Sequence, residues 1–600
     1  MNSLRFGCCL ALLFAASTCF AQNNPVPSIN QPLVPGAVAP GGPEFSLTIN
    51  GAGFVSGSIV NWNKNPLVTR FVSASKLKAV VPAEYLSNDG NARVTVVNPG
   101  PGGGSSDPVP FTITVPPSSL VFRAFPVEGM GITSPINAVT ADFNNDGIAD
   151  LAVVDQAPAP SCDYRFHGDG GIPYNGVGSI AILPGNGDGT FSSRSSALCF
   201  VNWLETTPQK LVMAADLNRD GNVDLIAVSS GYFGGEGYNI GLYLGNGDGT
   251  FAALHEVWSH ASWLDPQLRG AALGDFQSDG QLNLAVSEAT DDYADVFLLP
   301  GHGFLLYSGP GLMLGAGPLI SGDFNGDGVL DLADGAGILF LNKGNGVFTK
   351  LNMTGFGAST VSGDFNGDGI LDLATVNGNT ISILLGKGDG TFTAKTGQPV
   401  SAQTNVSLIG ADINGDGKLD LVAIDSTNAV SIWLGNGDGT FQAPRDSTGR
   451  GDSVVATDFN GDGRMDLAVT NSVNGTVSIL LQGPPYKALV ESPINADGTS
   501  VFSAKRGVVP VKFTLTENGV PTCTMPPATI ALTRTAGGTL GSVDDSVYAN
   551  PSDKGSNFRI DRSACQYVYN LATRSLGIGR YRTDISINGY VVGHAVFALQ

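Results

Sequence analysis

The chain has 600 residues, of which only 14% are charged, and it is rich in glycine, with 81 residues. Its formal net charge is -21, and no basic stripe offsets this field, which excludes a nucleic-acid partner. Helical periodicity is absent, so we predict an all-β chain, and the length allows three or four domains.

Residues 1–21 have the features of a secretory signal peptide. Arg5 precedes the apolar core Leu10–Phe14, and small residues lead to Ala21 at the cleavage site. We therefore expect a secreted or cell-surface protein; a retained anchor and a lipoprotein through Cys19 are the alternatives. No other segment is long and apolar enough to span a bilayer, and we expect a monomer with no transmembrane segment.

The mature chain keeps four cysteines, which fall into two pairs. The pairs are Cys162 with Cys199 and Cys523 with Cys565, and each pair lies within one proposed domain. Two disulfides are expected for a protein in an oxidising compartment.

Residues 27–115 predict a small β-sandwich, because apolar residues alternate along four segments. These segments are Phe45–Ile49, Gly57–Trp62, Leu77–Val81 and Ala92–Val96. Asn50–Phe54, Trp62 and Val97–Gly104 resemble the immunoglobulin-like IPT/TIG family. The resemblance implies a spacer or stalk.

An Asp-rich loop recurs seven times between residues 120 and 482. The copy at Asp364–Asp372 has oxygen side chains at positions 1, 3, 5 and 9, a glycine at 6 and a free carbonyl at 7. Such donors suit Ca²⁺. The loop is not an EF-hand, because Leu373-Ala374-Thr375 stands where that motif has its position-12 glutamate, and strands flank it.

Six loops are complete, and we predict about six structural calcium sites. Their ligands are Asp142, Asn144, Asp146, the Ile148 carbonyl and Asp150; Asp216, Asn218, Asp220, the Asn222 carbonyl and Asp224; Asp323, Asn325, Asp327, the Val329 carbonyl and Asp331; Asp364, Asn366, Asp368, the Ile370 carbonyl and Asp372; Asp412, Asn414, Asp416, the Lys418 carbonyl and Asp420; and Asp458, Asn460, Asp462, the Arg464 carbonyl and Asp466.

The third loop departs from this pattern, and we expect it to bind weakly or not at all. It has Asp275, Gln277, Asp279 and Asn283. For any single loop the alternative is an Asx-rich turn without metal.

Each repeat has an apolar strand before the loop, two after it, then a Gly-rich turn and a fourth strand. Segments such as Gly322–Gly328 and the turns at 185–191, 245–251 and 435–441 resemble FG-GAP/VCBS repeats, a family that includes integrin α-subunit propellers. The resemblance implies a seven-bladed β-propeller with an ion in the loop between the first and second strands of each blade.

The last repeat lacks its turn and its outer strand, since Ser478–Leu481 runs into Gly483-Pro484-Pro485. Leu120–Val127 resembles an outer strand and precedes the first loop. We therefore predict that this segment completes the seventh blade and closes the ring, which removes an open sheet edge.

The connections at the end opposite the loops are enlarged in the first three blades and carry many aromatic residues. These are Tyr164, Phe166, His167 and Tyr174 within residues 156–178, and Trp203, Tyr232, Phe233, Trp258, Trp263 and Tyr293. They suit glycan or protein binding, or else they pack the insertions themselves. Arg450-Gly451-Asp452 matches an integrin-recognition tripeptide, which we interpret as a chance match.

Residues 486–600 predict a second immunoglobulin-like sandwich. Pro510–Phe513, the cysteine pair and the closing strand Tyr590–Phe597 resemble PxKF domains. No nucleophile, base and orienting group can be assembled, so the leading hypothesis is a non-catalytic, calcium-binding propeller that binds an extracellular glycan or protein. An extracellular glycan or lipid hydrolase and a passive spacer are the alternatives.

Overall fold

The computed structural model describes residues 23–600 apart from internal gaps, so the predicted signal peptide lies outside the described residues. The gaps are 88–89, 118–119, 157–176, 194–195, 202–209, 233–234, 253–254, 263–266, 290–295, 300–318, 336, 345, 354–356, 358, 378–379, 396–397, 400–406, 426, 485, 496–497, 506, 518–519, 536–551 and 588–589. The all-β prediction is confirmed. In the described part of the chain, no helix has the length and apolarity needed to cross a bilayer.

The N-terminal module is a sandwich of two sheets. One sheet has the strand order Ser28–Ile29, Phe45–Ala52, Lys76–Val81 and Val68–Ser73. The other has the order Ala37–Val38, Val109–Ile113, Gly90–Asn98, Ile59–Trp62 and Asn65–Pro66, with Gly104–Ser105 paired to Gly90–Asn98. A 3-10 turn spans Ala83–Leu86. Trp62 is a core residue, buried against Tyr85 and Phe111.

The repeats form seven small antiparallel sheets within the described residues, which we number ring sheets 1 to 7. Their strands, in sheet order, are Pro135–Ala141, Asp150–Asp155, Val177–Leu183 and Ser196–Val201; Lys210–Ala215, Asp224–Tyr232, Gly235–Tyr243 and His255–Ser262; Gln267–Gly274, Asn283–Ala289 and Val296–Leu299; Leu319–Gly322, Asp331–Asp334, Ile338–Asn342 and Phe348–Asn352; Ser359–Gly363, Asp372–Asn377, Thr380–Gly386 and Phe392–Ala394, with Gln398–Pro399 beside the third; Ser407–Ala411, Asp420–Ile424, Ala429–Trp433 and Arg445–Arg450; and Ser453–Thr457, Asp466–Asn471, Thr476–Gln482 and Phe122–Pro126.

Apolar residues fill the spaces between consecutive sheets. Leu421 and Ala374, for example, share a buried cluster between ring sheets 5 and 6. Ile479 and Val153 share one between ring sheets 7 and 1, so the series of clusters returns to its start. The first strands of ring sheets 1 and 7 also contact each other, and the sheets therefore form a closed ring.

The predicted closing strand is confirmed. Phe122–Pro126 pairs antiparallel with Thr476–Gln482, with Ala124 opposite Leu480. The outer strand of ring sheet 7 therefore comes from the chain segment before the first loop.

The C-terminal module is also a two-sheet sandwich. Its sheets have the orders Tyr486–Glu491, Val508–Glu517, Gln566–Ala572 and Arg559–Asp561, with Val520–Thr522 paired to Val508–Glu517, and Val501–Phe502, Tyr590–Leu599, Gly579–Ile587 and Ala528–Thr535. Cys523 and Cys565 are bonded, with their Cα atoms 5.3 Å apart. Cys162 lies outside the described residues, so its pairing with Cys199 stays a prediction.

Candidate metal-binding loops

The seven Asp-rich loops, numbered by their ring sheets, join the first and second strands and share one backbone shape. Positions 4 and 6 have left-handed φ angles in every loop, such as +78° at Gly367 and +85° at Gly369. Glycine adopts this conformation without strain, whereas position 4 of the first three loops uses Asn145, Arg219 and Ser278. The third loop keeps this shape although its side chains differ.

Backbone amides organise the side-chain oxygens of each complete loop. In loop 5, Gly369 N–H donates to Asp364 Oδ2 at 2.7 Å, Asp368 N–H to Asn366 Oδ1 at 2.8 Å, and Ile370 N–H to Asp368 Oδ1 at 2.8 Å. An ionised carboxylate has about four lone-pair sites, so these bonds leave further acceptor capacity. The loop is thus held in shape by its own hydrogen bonds.

The position-9 aspartates have a second role that the sequence did not reveal. Asp372 is fully buried, and its Oδ2 and Oδ1 accept hydrogen bonds from Phe365 N–H at 2.9 Å and Gly386 N–H at 2.8 Å. The same two-amide arrangement recurs at Asp150, Asp224, Asp331, Asp420 and Asp466. This carboxylate therefore joins the loop to the end of the third strand, independently of any cation.

The position-9 carboxylates have no salt bridge within the described part of the chain, whereas Asp142, Asp416 and Asp462 each have a cationic neighbour. Burial, followed by the effect of neighbouring aspartates, raises the pKa of Asp372 to about 7 and of Asp331 to about 8, against the bonds from backbone amides that lower it. By contrast, hydrogen bonds from Thr391 lower the pKa of Asp389 in the exposed Gly-rich turn. A cation among the loop carboxylates would offset the cost of their burial.

The donor set fits a hard cation such as Ca²⁺. Each complete loop offers three carboxylates, an amide oxygen and a carbonyl. In loop 1, Asp142 Oδ1 is buried and accepts no hydrogen bond from any described residue. Among the described residues, however, no three or more His, Cys, Asp or Glu side chains are arranged close enough to hold a metal. The carboxylates of a loop would have to move inward to share one ion.

Loop 3 shows what is lost when position 9 is an amide. Asn283 Oδ1 accepts the Phe276 N–H at 3.0 Å, but its buried Nδ2 has no partner within the described part of the chain. A carboxylate oxygen occupies the equivalent place in the other loops and accepts a backbone N–H there.

Within the described residues, loop 1 and loops 3 to 7 are also attached to the next ring sheet. The Phe365 ring packs edge-on against Phe441 of the following turn at 6.0 Å, and Gly439 N–H donates to the Phe365 carbonyl at 2.9 Å. Ring sheet 7 has no such turn, and there Gln482 Nε2 donates to the Ile413 carbonyl at 2.6 Å. This contact was not predicted from the sequence, although phenylalanine recurs at loop position 2 and at the end of the turns.

The N-terminal module lies against the loops rather than extending away as a spacer or stalk. Arg93 Nη1 pairs with Asp142 Oδ2 at 2.8 Å, Asn91 Nδ2 donates to Asp458 Oδ2 at 3.1 Å, and Val26 N–H donates to Asp275 Oδ2 at 2.9 Å. Gly53 N–H donates to the Gly328 carbonyl at 2.7 Å, and the Gln31 carbonyl accepts the Asp364 N–H at 2.9 Å. Gly36 and Gly104 lie close to Gly417 and to Arg219. The module therefore covers the loop face of the ring.

The C-terminal module contacts both other parts. The Arg464 guanidinium of loop 7 lies 5.5 Å from the Tyr590 ring and donates to the Val591 carbonyl at 2.5 Å. Arg582 Nη1 donates to the Ser87 carbonyl of the N-terminal module at 3.4 Å. Both sandwiches thus flank the same side of the ring.

The opposite end of the ring is described only in part. The aromatic candidates at 164–174, 203, 233, 263 and 293 lie outside the described residues, as do the side chains of Tyr232 and Trp258. Asp452 of the Arg-Gly-Asp tripeptide accepts hydrogen bonds from Asn428 Nδ2 at 2.7 Å and Ser472 N–H at 2.6 Å. Its carboxylate is used within the fold, as expected for a chance match.

Fold and loops together define a β-propeller protein with an immunoglobulin-like module on its loop face. The chain contains FG-GAP-like repeats, matched at residues 216–286, 364–423 and 412–469, and an IPT/TIG domain, matched at residues 33–113. Both resemblances inferred from the sequence are confirmed. The PxKF resemblance of the C-terminal module stays a prediction.

Similarities to solved structures are weak. A lectin of Agrocybe aegerita, in a study of recognition of non-reducing terminal N-acetylglucosamine, is 17% identical with a TM-score of 0.36, covering 65% of this chain and 94% of the lectin. An auxiliary nutrient binding protein of Bacteroides ovatus is 11% identical with a TM-score of 0.31, covering 77% and 98%. A comparison with curated proteins finds no match. None of these similarities is high enough to assign a function.

Proposed function

We propose that this protein is an extracellular, non-catalytic propeller that binds calcium in about six loops and presents the other end of its ring to a glycan or protein. The observation that supports calcium binding is the repetition of one oxygen-rich, hydrogen-bonded loop around the ring, with buried position-9 carboxylates that have no salt bridge among the described residues. In such a protein the ions have a structural role, because they stabilise the loops of the ring.

Replacing Asp364 by alanine is expected to lower calcium stoichiometry by about one, because the loop loses its position-1 carboxylate. With a Kd of roughly 0.1 mM and calcium at about 1 mM, the lost site costs about 1.4 kcal/mol of stability. Isothermal titration calorimetry and melting with and without chelator measure both effects. Asp389→Ala is the matched control, since Asp389 also accepts turn hydrogen bonds but is no predicted ligand. Wild-type protein that gives no heat with calcium would contradict the proposal.

Converting loop 3 to the pattern of the other loops should create a site. The double variant Gln277→Asn, Asn283→Asp supplies the shorter amide and the missing carboxylate, and its calcium stoichiometry should rise by about one over wild type. Gln277→Asn alone is the control. An unchanged stoichiometry in the double variant would show that side-chain identity does not limit binding at this loop.

The ligand-binding face is proposed from what the N-terminal module leaves uncovered. Because this module contacts loop 1 and loops 3 to 7 and lies close to loop 2, a partner has access to the opposite end, where the sequence places the aromatic insertions. We expect binding on a glycan array or to an extracellular protein, and its loss when residues 157–176 are replaced by a short Gly-Ser linker. A shortened variant that binds as well as wild type would move the site elsewhere. Hydrolysis of an arrayed glycan would instead favour the enzyme alternative.

A further inference from the structure

The N-terminal module contacts Asp142 and Asp458, which the proposed function assigns to calcium, and the corresponding Asp275 of loop 3. Its donors reach the Oδ2 atoms of Asp142, Asp275 and Asp458, which also accept the position-6 N–H of their own loops. Asp142 Oδ1, on the other side of the carboxylate, is buried and has no hydrogen-bond partner in the described part of the chain. In loop 1, docking thus uses one oxygen of the position-1 carboxylate and leaves the other for a cation. In loops 3 and 7 the second oxygen accepts the position-5 N–H, from Asp279 at 3.1 Å and from Asp462 at 3.2 Å.

The module also lies directly on the position-6 glycines of loops 3, 4, 5 and 7. A Cβ added at Gly280, Gly328 or Gly463 would come within 2.3 to 2.7 Å of module atoms, and one at Gly369 would meet Asn50 Nδ2 at 3.0 Å. Asn50 is 5% exposed, and its Oδ1 has no hydrogen-bond partner within the described residues. The module surface therefore follows the backbone of these loops closely, and a change in loop shape changes the docking surface.

A cavity of about 350 Å³ remains between the two bodies. Residues Val26–Gln31 and Asp107 of the module line one side, and the ends of the first strands of ring sheets 3 to 6 line the other, including Gly274, Gly322 and Gly410. The interface is therefore a rim of contacts at the loops around a hollow centre. The docking of the N-terminal module therefore depends on the shape of the loops.

We propose that calcium binding to the loops and docking of the N-terminal module are thermodynamically coupled, so that calcium holds the module on the ring and chelation releases it. This inference rests on the proposed calcium function. Drawing the loop carboxylates inward around an ion fixes the loop shape to which the module is fitted. Because coupling is reciprocal, docking must raise calcium affinity by the same factor by which calcium strengthens docking.

The test uses the full chain and a substitution that places a larger side chain on the module side of the contact. A Cβ at Gly36 would lie 2.5 Å from the Gly417 carbonyl oxygen of loop 6, and Gly36 is no calcium ligand. Gly36→Val should weaken calcium binding about fivefold by calorimetry, within the usual range of coupling between sites. Gly57→Val is the control, because a Cβ there meets only Pro99 of the same module, at 3.0 Å. Its affinity should equal that of wild type.

Small-angle scattering of the wild-type chain provides a second readout that does not depend on the variant. The radius of gyration should increase on chelation and return to its starting value when calcium is restored. If calorimetry shows calcium binding while the radius is unchanged and Gly36→Val binds like wild type, the coupling is overturned and the calcium sites stand. If calcium produces no heat, both the proposed function and the coupling fall.

Discussion

Replacing Phe122–Pro126 by Gly-Ser-Gly-Ser-Gly is expected to lower the free energy of unfolding by about 5 kcal/mol, the largest loss we foresee for a short segment. This strand pairs along its whole length with Thr476–Gln482, and Phe122 and Phe125 pack against buried clusters on the two sides of ring sheet 7. The replacement removes the apolar contacts and weakens the ladder while keeping the chain length. Calorimetry or denaturant unfolding measures the loss.

The control is the edge strand Arg559–Asp561 of the C-terminal module. It also pairs with one neighbour, but all three of its residues are exposed, so the equal-length replacement Gly-Ser-Gly should have a small effect. Equal losses in the two variants would mean that ring closure contributes no more than an ordinary edge.

Asp372→Ala is expected to cost about 3 kcal/mol, and to do so in chelator as well as in calcium. The substitution leaves the buried N–H groups of Phe365 and Gly386 without acceptors, which is costly whether or not an ion is bound. Equilibrium unfolding in calcium and in EDTA gives the two values.

Asp368→Ala is the comparison within the same loop. Asp368 is exposed and accepts bonds from Ile370 N–H and Asn366 Nδ2, so its loss should be small in EDTA and larger in calcium. A destabilisation by Asp372→Ala that disappears in EDTA would mean that this carboxylate acts through the cation alone.

The ring could be predicted from the sequence because every repeat is marked by recognisable loop and turn residues. The loop at Asp364, the turn at Gly386–Gly390 and the alternating strands between them recur in phase, and the missing outer strand of the last repeat identified its replacement at Leu120–Val127. These are local signals within repeats. Counting them was sufficient to assign the strand order.

The position of the N-terminal module could not be predicted in this way. Its contacts join residues far apart in sequence, such as Arg93 with Asp142 and Asn91 with Asp458. In the sequence, each of these residues fits the pattern of its own strand or loop, so nothing points to its distant partner. The position-6 glycines were explained by positive φ alone. Their lack of a side chain also makes room for the module, which requires the fit of two surfaces to be known.

The roles of single loop residues were predicted only in part. The pattern placed Asp372 among the ligands, and it gave no sign that both oxygens already accept backbone hydrogen bonds. An aspartate that binds a cation and an aspartate that accepts backbone hydrogen bonds cannot be distinguished from the sequence. Loop 3 gives a hint of the second role, since Asn283 replaces the aspartate and keeps one of its two acceptor oxygens.

The closing strand has a consequence for the order in which the protein is made. Phe122–Pro126 leaves the ribosome before the first repeat, whereas its partner Thr476–Gln482 emerges only after the last. Throughout that interval the nascent chain has one strand without a partner and a sheet edge open to aggregation. A chain truncated before residue 476 has no means of completing ring sheet 7, so the ring can close only after the chain has been made through Gln482, just before the C-terminal module.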